Sequence, residues 1–129
     1  MTTVNVLIVV DVLAAATSGN LGANVYLVDT NKHIGSGAEG QAELVTVLSS
    51  GNNIEWAVSP IDPGTDVVIA GFEGQAINGN NIKPVKNNDG SWGSTFSATG
   101  GSGAQYQYSV SLSFDGAPPQ SFDPFLKIK

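Results

Sequence analysis

The sequence predicts an all-β fold, an antiparallel β-sandwich of about eight strands in a jelly-roll or immunoglobulin-like arrangement. It is read as a single domain over residues 1–129. Three observations predict this. The stretch Gln105–Phe114 alternates strictly, with Tyr106, Tyr108, Val110, Leu112 and Phe114 on one side and Gln105, Gln107, Ser109, Ser111 and Ser113 on the other. An extended chain turns successive side chains to opposite faces, whereas a helix would scatter those large residues around its circumference. Short apolar runs recur between clusters of Gly, Pro, Asn and Asp, the punctuation of strands joined by tight turns. No segment gives a convincing helix. Burying the five large side chains of Gln105–Phe114 yields roughly 10 kcal/mol gross, at about 1.5–3 kcal/mol each. Ordering the backbone cancels much of that, at about 1–2 kcal/mol per residue, so the strand needs a second apolar sheet to cover it.

Val4–Val12 is apolar on both faces, with Val4, Val6, Ile8 and Val10 on one and Leu7 and Val9 on the other. That pattern predicts a strand covered on both sides. Ala14–Ala23 reads as a small-residue loop, Asn24–Asp29 as a second strand and Thr30–Gly40 as a polar loop. Gln41–Leu48 is short and carries the β-branched Val45, Thr46 and Val47, which favours a strand. Ser50–Asn53 is a turn, and Ile54–Ser59 alternates with Ile54, Trp56 and Val58 on one face. Trp56 is therefore expected in the core. Pro60 and Pro63 bracket the loop Ile61–Gly64, since proline cannot donate to a ladder. Thr65–Phe72 is a strand apolar on both sides, in which Gly71 marks a bulge or a close approach. After a loop at Gly74–Asn81, the turn Asn87–Gly90 joins Ile82–Lys86 to Ser91–Ala98 as a hairpin. A glycine-rich turn at Thr99–Gly103 leads into Gln105–Phe114. Asp115–Gln120 then turns the chain into a last strand, Phe125–Lys129.

Composition excludes several function classes. The net charge is −6 and arginine is absent, whereas phosphate and base readout lean on bidentate arginine. Nucleic acid and anionic membranes are therefore not expected partners. Cysteine is absent, which excludes disulfides and cysteine zinc sites and fits a reducing, cytoplasmic location. The apolar run Val4–Val10 contains Asn5, has no basic leader and meets Asp11, so it reads as a strand and not as an export signal.

Few residues carry candidate chemistry. Gly35–Gly40 matches G-x-G-x-x-G letter by letter, but no strand leads directly into it and a β-branched segment follows, so it reads as a loop and not a nucleotide cradle. His33 is the only histidine and no serine lies in a G-x-S-x-G elbow. A hydrolase would have to use His33, and no catalytic constellation is expected. Asp62 and Asp66 flank the Pro63-Gly64 turn, and Asp89 lies among Asn87, Asn88 and Ser91. These are oxygen ligands of the kind calcium takes, and equally ordinary turn residues. Trp92 beside Asn88 and Asp89 has the composition of a sugar platform, against the alternative of a partly buried hairpin residue. The Ser/Gln face of residues 105–113 is solvated or serves as an assembly face.

Several pieces in order resemble the bacterial inclusion-body protein family (PixA/AidA-like). They are Val4–Asp11, Val25–Val28, Gly37–Leu44 followed by Gly51–Trp56, and the ending Phe122-Asp123-Pro124-Phe125-Leu126-Lys127-Ile128. The single methionine and short loops depart from that family's founding protein. The resemblance implies a non-enzymatic, cytoplasmic, self-associating protein with no established catalytic residues. Trp56 and Pro124 also have structural readings, the latter as a kink before a terminal edge strand. The expectation is a homo-oligomer without a cofactor. The alternative is a lectin-like module that binds a glycan with calcium.

Overall fold

The computed structural model describes residues 2–114 and 117–129. The expected turn at Asp115-Gly116 lies outside the described residues. The chain is mostly β, with eleven strands among the described residues: β1 (Thr3–Val10), β2 (Val25–Asp29), β3 (Val45–Leu48), β4 (Asn53–Pro60), β5 (Val67–Glu73), β6 (Val85–Lys86), β7 (Trp92–Thr95), β8 (Gln105–Gln107), β9 (Ser109–Phe114), β10 (Gln120–Phe122) and β11 (Phe125–Ile128). They form three open sheets, ordered β2-β1-β4-β7-β6, β10-β9-β5 and β3-β11-β8. All pairings are antiparallel except two: β1 lies parallel to β4 and β3 parallel to β11. The wholly antiparallel expectation is thus corrected. Alternation is the same in either direction, so residue patterning does not report it.

β1 buries Val4, Val6, Ile8 and Val10 and leaves Asn5 and Leu7 exposed, so it is covered on one side, not two. It also stops at Val10, because Asp11 starts a helix. Helix α1 (Val12–Ser18) replaces the expected loop. The Asp11 carboxylate accepts from the Ala14 N–H at 3.1 Å, alanines fill the helix, and Gly19 ends it with a positive φ of 69°. Capping and alanine's high propensity outweigh the lack of an apolar stripe. A second short helix, α2 (Gln75–Asn78), lies in the expected loop Gly74–Asn81. No described helix is long and apolar enough to cross a membrane.

Other boundaries shift. The strand foreseen over Gln41–Leu48 forms only from Val45, where pairing with β11 begins. β5 exposes Val68, against the two-sided reading. Gly71 does mark a bulge: β5 slips register against β9 between Ile69 and Gly71. The hairpin over residues 82–98 forms with short arms, Val85 opposite Gly93 and Lys86 opposite Trp92. β10 was not foreseen, and β11 is the central strand of its sheet, not an edge.

The alternating stretch Gln105–Phe114 keeps all five large residues buried, but it is two strands in two sheets. Tyr108 is the joint. Its N–H leaves both ladders and donates to Pro124 O at 3.0 Å, itself the joint between β10 and β11. The Tyr108 hydroxyl accepts from Trp56 Nε1 at 3.1 Å, tying in β4 of the third sheet. Trp56, Phe72, Trp92 and Tyr108 pack around this bond, with Trp56 and Phe72 ring centroids 4.7 Å apart. Burial pushes the Tyr108 hydroxyl's pKa up, so it stays protonated. Gly74 permits the approach: its φ is 104°, and a Cβ there would meet Tyr108 Cα at 3.1 Å.

Tyr108→Phe removes the oxygen that accepts from Trp56 Nε1. Leaving that buried donor unpaired is expected to cost about 1–3 kcal/mol, read as a lower urea midpoint at unchanged slope.

Candidate functional site

The outer face of the five-stranded sheet carries the most unusual surface. Register brings Leu7 between Val28 on β2 and Ala57 on β4, and Val9 between Tyr26 and Ser59. Leu7, Tyr26 and Val28 are 40%, 45% and 41% exposed. Because inner positions hold Val6, Ile8, Leu27 and Trp56, the even spacing of a strand forces these neighbours outward. The result is two adjoining apolar rows in water, a feature of contact surfaces more than of free ones. A groove of about 400 Å³ opens over Leu7, Val28 and Ala57, walled by Asn5, Thr30, Glu55 and Asp89.

One side of this face is closed by the loop that carries the G-x-G-x-x-G letters. Gly40 N–H donates to Leu27 O at 2.6 Å and Asp29 N–H to Glu39 Oε1 at 3.0 Å, filling the outer edge of β2. The same loop closes the edge of β3. Gly37 pairs with Val45, Val47 N–H donates to Ser36 Oγ at 2.9 Å, and Asn31 Nδ2 donates to Val47 O at 2.7 Å. The buried polar residues Asn31 and Ser36 are thus spent on strand edges, and no phosphate cradle forms.

Within this seam two carboxyl groups face one another. Asp29 Oδ2 and Glu39 Oε2 are both buried without a hydrogen-bond partner. Burial, then the neighbouring Asp29, push the Glu39 pKa above the usual glutamate range, although the Asp29 N–H and Lys32 oppose the shift.

The residues foreseen as metal or sugar contacts are dispersed. Asp62 accepts from Gly64 N–H at 2.8 Å and shapes the turn before β5, with Asp66 exposed beyond it. Asp89 accepts from the Ser91 hydroxyl at 2.6 Å and its N–H at 2.9 Å, bonds that hold its carboxyl below the usual range. Among the described residues no three of His, Asp and Glu converge as metal ligands would. Asn88 is exposed at the hairpin tip, whereas Trp92 is half-buried with its ring 5.4 Å from Phe72. Asp89 walls the groove and Trp92 does not line it. His33 stands exposed in the turn Lys32–Ile34.

Sequence reasoning missed a second, larger cleft of about 780 Å³ between the Gly19–Ala23 segment, residues 40–43 and β10. Asn20, Tyr26, Gln41, Glu43, Gln120 and Asp123 line it. These residues are distant in sequence, so no spacing announced them. Leu7 and Val9 are visible in the sequence as apolar, but the fold leaves Leu7 exposed and Val9 only half-buried where two-sided apolarity predicts a second cover.

The profile of one protein family, described as a domain of unknown function (DUF8788), matches residues 2–120. No curated protein matches the sequence. Among solved structures, the chain is similar to the crystal structure of the inclusion body protein PixA from Burkholderia cenocepacia J2315. The TM-score is 0.75 at 11% identity, covering 99% of this chain and 95% of that one. The PixA-like expectation holds at the level of fold.

Glu39 binds its proton more tightly folded than unfolded. Native stability therefore falls as pH rises from the ordinary glutamate value through the raised one. Glu39→Gln keeps an acceptor for the Asp29 N–H and offers a donor to Asp29 Oδ2. Urea melts from about pH 4 to pH 7 should show a flatter pH profile for the variant, with its advantage over the parent largest at the high-pH end.

Proposed function

The chain belongs to the DUF8788 family, and from that premise we propose that it is a non-enzymatic, cytoplasmic protein that associates with copies of itself through the outer face of its five-stranded sheet. The single observation that carries this reading is the pair of adjoining apolar rows, the exposed Val28-Leu7-Ala57 and the exposed Tyr26 beside half-buried Val9. The apolar rows themselves carry no charged side chain: Leu7, Val9, Tyr26, Val28 and Ala57 are all uncharged. The likeness to a protein named for inclusion bodies agrees with it. We read the three sheets as a sandwich-like packing whose role lies on its outer skin, with no cofactor or metal required.

Leu7→Glu tests the reading. Leu7 is already part-exposed, so the substitution should shift stability by no more than about 1 kcal/mol while abolishing association measured by light scattering at high concentration. A parent chain that stays strictly monomeric, or a variant that associates equally well, overturns it.

A second reading, a lectin-like module, draws on the larger cleft, where amides, two carboxylates and an exposed tyrosine ring meet. Gln120 Oε1 nearby is buried without a partner. A glycan array with and without calcium is expected to show binding that Glu43→Gln weakens and Trp92→Ala spares, since Trp92 lies outside the cleft. An array blank in both conditions ends this reading.

A further inference from the structure

We propose that the outer edge of β2 is a second association surface, held shut by the loop Ser36–Gly40 and taken by β2 of another copy when that loop is displaced. This rests on the reading that the chain associates with itself, and it names the geometry of one contact.

An unpaired strand edge is a template for another strand, and folded proteins cover or charge such edges. β2 has both devices in one place. Leu27 O is covered by Gly40 N–H and Asp29 N–H by the Glu39 carboxylate. Neither cover is itself a strand of the sheet. The plug is also internally strained in charge. It sets Glu39 against Asp29 with an unpartnered buried oxygen on each, while Lys32 only partly offsets the upward push on Glu39.

β2 is complementary to itself. In an antiparallel pair centred on Leu27, the outward N–H and C=O of Leu27 exchange bonds with those of the partner's Leu27. Tyr26 then falls opposite the partner's Val28 and Val28 opposite the partner's Tyr26. Aromatic and β-branched residues are favourable cross-strand neighbours, and both are exposed on the outer face. Asp29 falls opposite Val25, so no like charges meet. Pairing would extend the five-stranded sheet across the two-fold axis and join the apolar rows of both copies. By contrast β6, the other edge of this sheet, is two residues long, follows Pro84 and carries Lys86, features that discourage strand addition.

The chain has no cysteine, so introduced thiols give a clean readout. Positions 26 and 28 of the pair form a non-hydrogen-bonded site with Cα atoms about 4.5 Å apart, within disulfide reach. In the Leu7→Glu background, Tyr26→Cys and Val28→Cys chains are mixed under mild oxidant, with Glu39 intact or replaced by Ala. The expected result is several-fold more cross-linked dimer when Glu39 is Ala, formed mainly in the mixture and not by either cysteine chain alone. Glu39→Gln, which keeps the acceptor, should cross-link like the parent. If Glu39→Ala fails to fold, Glu39→Asp withdraws the carboxylate by one methylene, and the same rise is expected. Equal yields with plug intact and weakened, or equal yields from single-cysteine chains, overturn the proposal. Persistent association of the Leu7→Glu chain without cysteines instead refutes the face contact, so the two failures are separable.

Discussion

One buried hydrogen bond, Trp56 Nε1 to the Tyr108 hydroxyl, stands where all three sheets meet. Trp56 belongs to the five-stranded sheet, and Tyr108 is the residue at which the chain leaves one three-stranded sheet for the other. The surrounding rings are large and fully or mostly buried, so their packing supplies the bulk of the attraction. The bond adds direction: it sets the distance and angle at which the sheets lie. Pro124 completes the joint by accepting from the Tyr108 N–H at the parallel break between β10 and β11. Two chain segments thus change sheets side by side, each satisfying a backbone group that its ladder gives up.

That arrangement has a consequence at the edges. Three small open sheets expose more strand edge than one closed barrel would. The loop from Asn31 to Gly40 answers this by closing β2 and β3 together, with Asn31 and Ser36 buried to reach β3 and Glu39 half-buried to reach β2. The glycines of the loop let its backbone pass between two edges. The letters that suggest a phosphate-binding loop are used here as a seam between sheets. The cost is two buried carboxyl oxygens, Asp29 Oδ2 and Glu39 Oε2, left without hydrogen-bond partners.

The apolar outer face follows from the same economy. β1 is the middle of its sheet, with β2 and β4 on either side, and its inner positions are filled by valine and isoleucine. Leu7 and Val9 face away from the only core available. Among the described residues Leu7 stays 40% exposed and Val9 half-buried on this face.

By itself the sequence determined the β class, the inner set from Tyr106 to Phe114, the core position of Trp56, an irregularity at Gly71 and the hairpin about Asn87–Gly90. Each of these depends on contacts local in the chain: side-chain alternation, β-branching, and the backbone freedom of glycine at turns. The PixA-like fold was legible too, from short pieces whose residues turn out to sit at structural nodes, with Asp11 capping α1 and Pro124 joining β10 to β11. Only the tertiary structure decided strand direction, the split at Tyr108, the exposure of Leu7, the seam and the larger cleft. Direction, sheet membership and cover arise between segments far apart in the chain, and an apolar residue reads the same whether its neighbour is its own core or another molecule.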